Sequence, residues 1–175
     1  MLFRSALQIF WLEDANLAAS NSFGVSNVGS DGEMSWATAN AWIAALNAAA
    51  YKGFSDWRLP TSLNPGGLTV CSGTQCTVSE MGHLHLVDGI SMTSQTPFNN
   101  ISFYEYWSST QQATDPSLIW TFSFNTSLQS SNRAEATTFR AWAVRPVPEP
   151  ATALMLFIGV ATLAIRRILS RARDA

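Results

Sequence analysis

The clearest periodicity along the chain is helical. From Ser35 to Ala50, apolar residues fall at Ala39, Trp42, Ile43, Leu46, Ala49 and Ala50, spacings of three and four that place them on one stripe. Ser35 suits the N-cap, the alanines of this stretch favour the helix, and Gly53 is placed to take a left-handed stop. A second, short helix is predicted over Ser79 to Val87, with Ser79 as its cap and Met81, Leu84 and Val87 as inward candidates.

Elsewhere the alternation is two-fold and predicts strands. Leu7, Ile9 and Trp11 share one face of a first strand; the alternative for Met1 to Leu12 is a small signal peptide, although the run contains Gln8 and meets Glu13-Asp14. In Asp56-Trp57-Arg58-Leu59-Pro60-Thr61, Trp57 and Leu59 point to one side and Arg58 to the other, and Pro60 stops the pairing, so a short core strand feeds a loop. Strands are also expected over Tyr104 to Thr110, Leu118 to Phe124 and Phe139 to Val144. Asn125 to Thr138 is polar and reads as a long hairpin connection; 16–33, 61–77 and 88–102 read as loops. A strand, two helices and then a cluster of strands is an α+β order.

Composition adds a core and a tail. Seven Trp and ten Phe in 175 residues supply a large apolar interior, and 13% charged residues is well below the usual share. Residues 1–150 hold six Lys/Arg against eleven Asp/Glu, net -5, whereas 151–175 are net +3. An acidic body argues against a nucleic-acid partner.

The tail starts at Pro146-Val147-Pro148-Glu149-Pro150, a stiff extended linker. Fifteen uncharged residues follow, Ala151 to Ile165, then Arg166-Arg167 and two further arginines. As a helix the apolar run reaches about 22 Å, short of a bilayer core, but the paired arginines can snorkel and Ile168-Leu169 extend it. The reading is a transmembrane helix over 151–169, with Arg166 and Arg167 as its cytoplasmic stop and residues 1–145 outside. The alternative is an amphipathic or buried C-terminal helix.

A Pro-Glu-Pro triplet at Pro148, Glu149 and Pro150, an apolar run and a terminal Arg cluster together resemble a PEP-CTERM sorting signal. The resemblance implies export in a Gram-negative bacterium and recognition by exosortase, a membrane-embedded, cysteine-dependent enzyme. Pro148, Glu149 and Pro150 are then processing determinants of a substrate. It further implies an inner-membrane anchor before processing and a cell-surface or extracellular-matrix location afterwards. An N-terminal export signal should accompany such a tail, so translation is expected to begin upstream of Met1.

The body resembles the Lcl C-terminal domain family through an ordered set of segments. These are Trp36-Ala37-Thr38-Ala39, Asp56-Trp57-Arg58-Leu59-Pro60-Thr61, Ser79-Glu80-Met81-Gly82-His83-Leu84, Tyr106-Trp107-Ser108-Ser109-Thr110 and Ala141-Trp142-Ala143-Val144-Arg145. Arg58-Leu59-Pro60-Thr61 is also similar to sulfatase-modifying domains. Both resemblances imply a C-type-lectin-like α+β fold in which the terminal strands meet and long loops carry binding. The expected architecture is therefore a lectin-like domain over 1–146, with two helices and a mainly antiparallel sheet. A sorting and anchor segment over 147–175, containing the C-terminal transmembrane helix, follows it.

The candidate chemistry is sparse. Arg58 beside core aromatics reads as half of an internal ion pair, with Glu80 or Asp56. In an exported protein, Cys71 and Cys76 read as a local disulfide closing a small loop. His83 and His85 are spaced for one face of a strand, with no third ligand nearby, so no metal and no other cofactor is assigned. Sulfatase-modifying activity needs reactive cysteines late in the chain, and none follows Cys76. The Glu-Pro-Asn and Trp-Asn-Asp patterns of calcium-dependent lectins are absent. Loop residues Asn99, Asn100, Tyr104 and Glu105 are the ligand-binding candidates, against the alternative of ordinary loop residues. The chain thus reads as a non-catalytic, exosortase-sorted surface protein that binds exopolysaccharide or biofilm matrix; the alternative is a structural envelope or matrix protein with no discrete ligand.

Overall fold

The computed structural model describes residues 2–4, 7–133 and 137–148. In chain order the regular elements are β1 (Leu2–Arg4), β2 (Ile9–Leu12), α1 (Trp36–Ala48), α2 (Glu80–Leu86), β3 (Glu105–Gln111), β4 (Leu118–Ser123), β5 (Gln129–Arg133) and β6 (Val144–Pro146). They form an α+β domain with two antiparallel three-stranded sheets, ordered β1-β2-β6 and β3-β4-β5. The first joins the two ends of the domain: Trp11 faces Phe3 on one side and Val144 on the other.

The opening run makes two strands rather than one. Gln8 takes a positive φ of 59° and breaks it, so Leu7 lies outside β2 and only Ile9 and Trp11 share the buried face. Helix α1 is capped by Ser35, whose hydroxyl accepts the Thr38 amide, and it buries Ala39, Trp42, Ile43 and Leu46. Ala49 and Ala50 are exposed, because the helix ends at Ala48 and Ala50 itself turns left-handed; the positive φ of Gly53 belongs to the turn beyond. Helix α2 is capped by Ser79 and buries Met81 and Leu84, but Val87 sits past its end and is exposed.

Asp56–Thr61 forms a single bridge, not a strand. Arg58 and Val144 exchange backbone hydrogen bonds of 2.8 and 2.9 Å, tying the segment to β6. Two residues on, the Pro60 carbonyl accepts the Ser109 amide of β3 at 2.8 Å. The hexapeptide therefore links the two sheets, with Trp57 and Leu59 buried in the shared core. Phe139 and Arg140, expected in a strand with Val144, make isolated bridges to Met34 and Tyr106, and regular pairing starts only at Val144. The polar connection after β4 contains β5, which pairs with β4 over five residues.

The interior is aromatic. Trp142 contacts Trp11, Phe98, Tyr106 and Phe124 at ring centroid distances of 4.9 to 5.7 Å. Several indoles also pin loops through their N–H: Trp142 to the Leu12 carbonyl (2.7 Å), Trp107 to Met34 (2.8 Å), Trp36 to Ser108 (2.9 Å) and Trp42 to Asn21 (3.0 Å). Each of these bonds fixes a backbone segment against the core, whereas the buried Trp11 Nε1 has no partner among the described residues.

Candidate functional site

Beyond the C-terminal end of β2 the chain is laid against the 99–102 loop. Ala15 donates to the Asn99 carbonyl and Asn99 to the Glu13 carbonyl, both at 3.0 Å. Asn16 then opens a short helical turn, and its Nδ2 donates to the Asp31 carbonyl at 2.9 Å. Gly32 has φ +84° and lies against the Asn16 amide oxygen, which would collide with any Cβ placed there. Asp14 holds the two segments together: its Oδ1 accepts the Asn16 amide at 2.9 Å and Asn100 Nδ2 at 3.1 Å.

Arg140 forms the floor. Its backbone is fixed by Glu105 and Trp107, and its side chain is only 5% exposed. The guanidinium meets Asp31 at 3.1 Å and Glu33 at 3.4 Å, and it stacks under the Tyr104 ring at 4.4 Å. Its Nε has no hydrogen-bond partner among the described residues. The result is a shallow cleft of about 410 Å³ whose walls include Asn16, Ser20, Asp31, Asn100, Ser102 and Arg140. The exposed rings of Phe103 and Tyr104 lie edge to face 6.0 Å apart, next in sequence to Ser102 of its wall.

Of the sequence candidates, Asn100 lines this cleft and Tyr104 covers its arginine. Asn99 contributes backbone bonds and has an exposed side chain. Glu105 lies in the β3–β5 sheet, where it accepts from the Thr121 hydroxyl (2.5 Å) and Asn132 (2.9 Å). Asn16, Asp31 and Arg140 were not singled out from the sequence. The one available signal was Asp31-Gly32, a turn dipeptide in a polar loop.

The remaining candidates lie elsewhere. Cys71 and Cys76 are joined in a disulfide, and its loop is strapped to β5 by a reciprocal Gly73–Gln129 pair and by Gln129 Nε2 donating to the Cys71 carbonyl. Arg58 pairs with Glu80, while Asp56 takes Arg145 at 2.7 and 3.0 Å, with Phe54 under that guanidinium at 3.8 Å. His83 and His85 fall on α2, not on a strand. His85 Nδ1 is 2.7 Å from the Ile90 carbonyl, which only accepts, so Nδ1 carries a proton; Nε2 lies 2.9 Å from the Ser127 hydroxyl. Among the described residues no three His, Cys, Asp or Glu side chains converge as a metal site.

The second cleft, about 350 Å³, lies at the other end of β2, between Leu7, Ile9, Leu63 and Val78 above the Arg58–Glu80 pair. The tail departs at that end, where the Val147 amide donates to the Gln8 carbonyl. Pro148 is exposed. Glu149, Pro150, the apolar run 151–165, Arg166 and Arg167 fall outside the described residues, and no described helix is long and apolar enough to cross a membrane.

No curated protein and no solved structure matches the chain. A model of the PEP-CTERM protein-sorting motif matches residues 146–168, which marks the protein for export and exosortase sorting. The segments from β2 onward that build the two sheets and the cleft, together with the tail that leaves from the opposite end of β2, coincide with two family models: with residues 5–145 matched by the Lcl C-terminal domain, the chain belongs to that family.

Proposed function

We propose that the protein is a non-catalytic surface module that binds extracellular polysaccharide through the Asn16–Asn100–Arg140 cleft. The observation that carries this reading is the placement of the cleft. Hydroxyls, amides, a carboxylate and a guanidinium from the β2–α1, α2–β3 and β5–β6 connections converge there, next to exposed aromatic rings. Polar groups that both donate and accept, set beside flat apolar surfaces, match the alternating faces of a sugar ring. The β2–β6 register puts this cleft at one end of β2 and the departing tail at the other. A domain tethered through residues 151–169 would thus hold its binding loops away from the membrane before exosortase processing. C-type-lectin-like domains use loops in the same way.

The test is binding of the full chain to polysaccharide from its own host's matrix and to a panel of oligosaccharides. Tyr104→Ala should weaken retention about tenfold with unchanged thermal unfolding, and Asn100→Ala should weaken it about as much while also lowering the unfolding midpoint, because Asn100 bonds Asp14 and takes a φ of 58°. No retention of any glycan, or retention indifferent to both substitutions, would overturn this reading in favour of a structural envelope protein.

A further inference from the structure

We infer that the ligand of this cleft is an amino sugar, a glycan whose rings carry a free ammonium beside their hydroxyls, and that acidic glycans are turned away. This inference rests on the cleft being a glycan site. Two carboxylates, those of Asp31 and Glu33, meet one guanidinium, and a third, that of Asp14, holds the side chain of Asn100 in the cleft wall. Arg140 is matched by Asp31 and Glu33, and Asp14 Oδ1 takes only uncharged amide donors, so the group as a whole is anionic. Asp31 is the carboxylate within reach of a ligand: it lines the cleft and its side chain is 55% exposed.

An acidic sugar would need a guanidinium fork. Arg140 offers none, because both Nη atoms are engaged by carboxylates and the Tyr104 ring covers its face. Its Nε–H, on a side chain more than nine-tenths buried, has no partner among the described residues. Among the described residues, the guanidiniums of Arg58 and Arg145 are held by Glu80 and Asp56, and neither lines this cleft. A sugar ammonium fits the remaining features. It can pair with the open lone pairs of Asp31, and the Tyr104 and Phe103 rings beside it favour a cation over an anion.

The experiment is calorimetric titration of the full chain with oligomers of glucosamine, N-acetylglucosamine and a uronic acid, at about pH 6 where the amine is charged. The glucosamine oligomer should bind about tenfold tighter than its acetylated counterpart, with no detectable uronate binding. The preference should fade at about pH 9, where the sugar amine is neutral. Asp31→Asn, a near-isosteric change on an exposed side chain, should abolish it, bringing the glucosamine and N-acetylglucosamine oligomers to the same affinity. Equal or tighter binding of the acetylated or uronate oligomer overturns the inference and leaves the glycan reading standing. Binding of none of the three overturns both.

Discussion

Arg58 and Glu80 meet head-on, with Nη1 to Oε2 at 2.8 Å and Nη2 to Oε1 at 2.6 Å, and Oε2 also accepts the Thr61 amide. One carboxylate thereby joins the inter-sheet hexapeptide to the first turn of α2. Arg58 is more than a third exposed, which screens the pair, but the Glu80 side chain is 10% exposed. Glu80→Gln keeps the shape and one acceptor but leaves a guanidinium half-matched. The expected loss is about 1–3 kcal/mol in chemical denaturation. A loss below about 0.5 kcal/mol would mean that the pair is merely superficial.

That pair was legible because its parts carry opposite requirements: two apolar residues at strand spacing must face a core, and the charge between them must find a partner. The order of helices and strands was legible for similar reasons. Strand β5 was not. Its residues Gln129-Ser130-Ser131-Asn132-Arg133 show no apolar alternation, since it pairs through the backbone and through Asn132 bonding Glu105 and Thr121. The cleft was only half legible. Arg140 lies 109 positions from Asp31, and from the sequence it reads as one residue of a strand, in phase with Trp142 and Val144, until the fold turns it under Tyr104.

Gly32→Ala tests the scaffold of the cleft. The substitution places a methyl group where the Asn16 amide now lies and forces alanine into a positive φ. Destabilisation of about 1–2 kcal/mol is expected, accompanied by weaker glycan retention because Asn16 must swing away from the Asp31 carbonyl. Unchanged stability in thermal unfolding would show that the 29–33 turn adapts freely.

Reduction of the Cys71–Cys76 bridge should have a limited effect. Only five positions separate the two residues, so the loop it closes is short and the constraint on the unfolded chain is worth about 2 kcal/mol. The loop is also held by Gly73–Gln129 and Gln129–Cys71 hydrogen bonds that do not depend on the bridge. Cys71→Ser/Cys76→Ser should therefore fold with a lowered transition midpoint; a double mutant that does not fold would give the bridge a larger part than loop closure allows.

Tyr106 predicts the alkaline limit of the domain. Its ring is buried against Trp142 and Phe124, and its hydroxyl accepts the Ser102 amide at 2.7 Å. Burial pushes the pKa of that hydroxyl far above the ordinary tyrosine value, outweighing the opposing pull of the Ser102 amide. The unfolded chain loses this proton at about pH 10 while the folded chain keeps it, so above that pH the unfolded state binds fewer protons and stability falls as pH rises. Tyr106→Phe should cost about 1–2 kcal/mol at neutral pH, because the Ser102 amide loses its acceptor. It should also remove one proton's worth of slope above about pH 10. Denaturation midpoints of wild type and variant must therefore converge between about pH 10 and 12; parallel curves across that window would place the Tyr106 hydroxyl in contact with water.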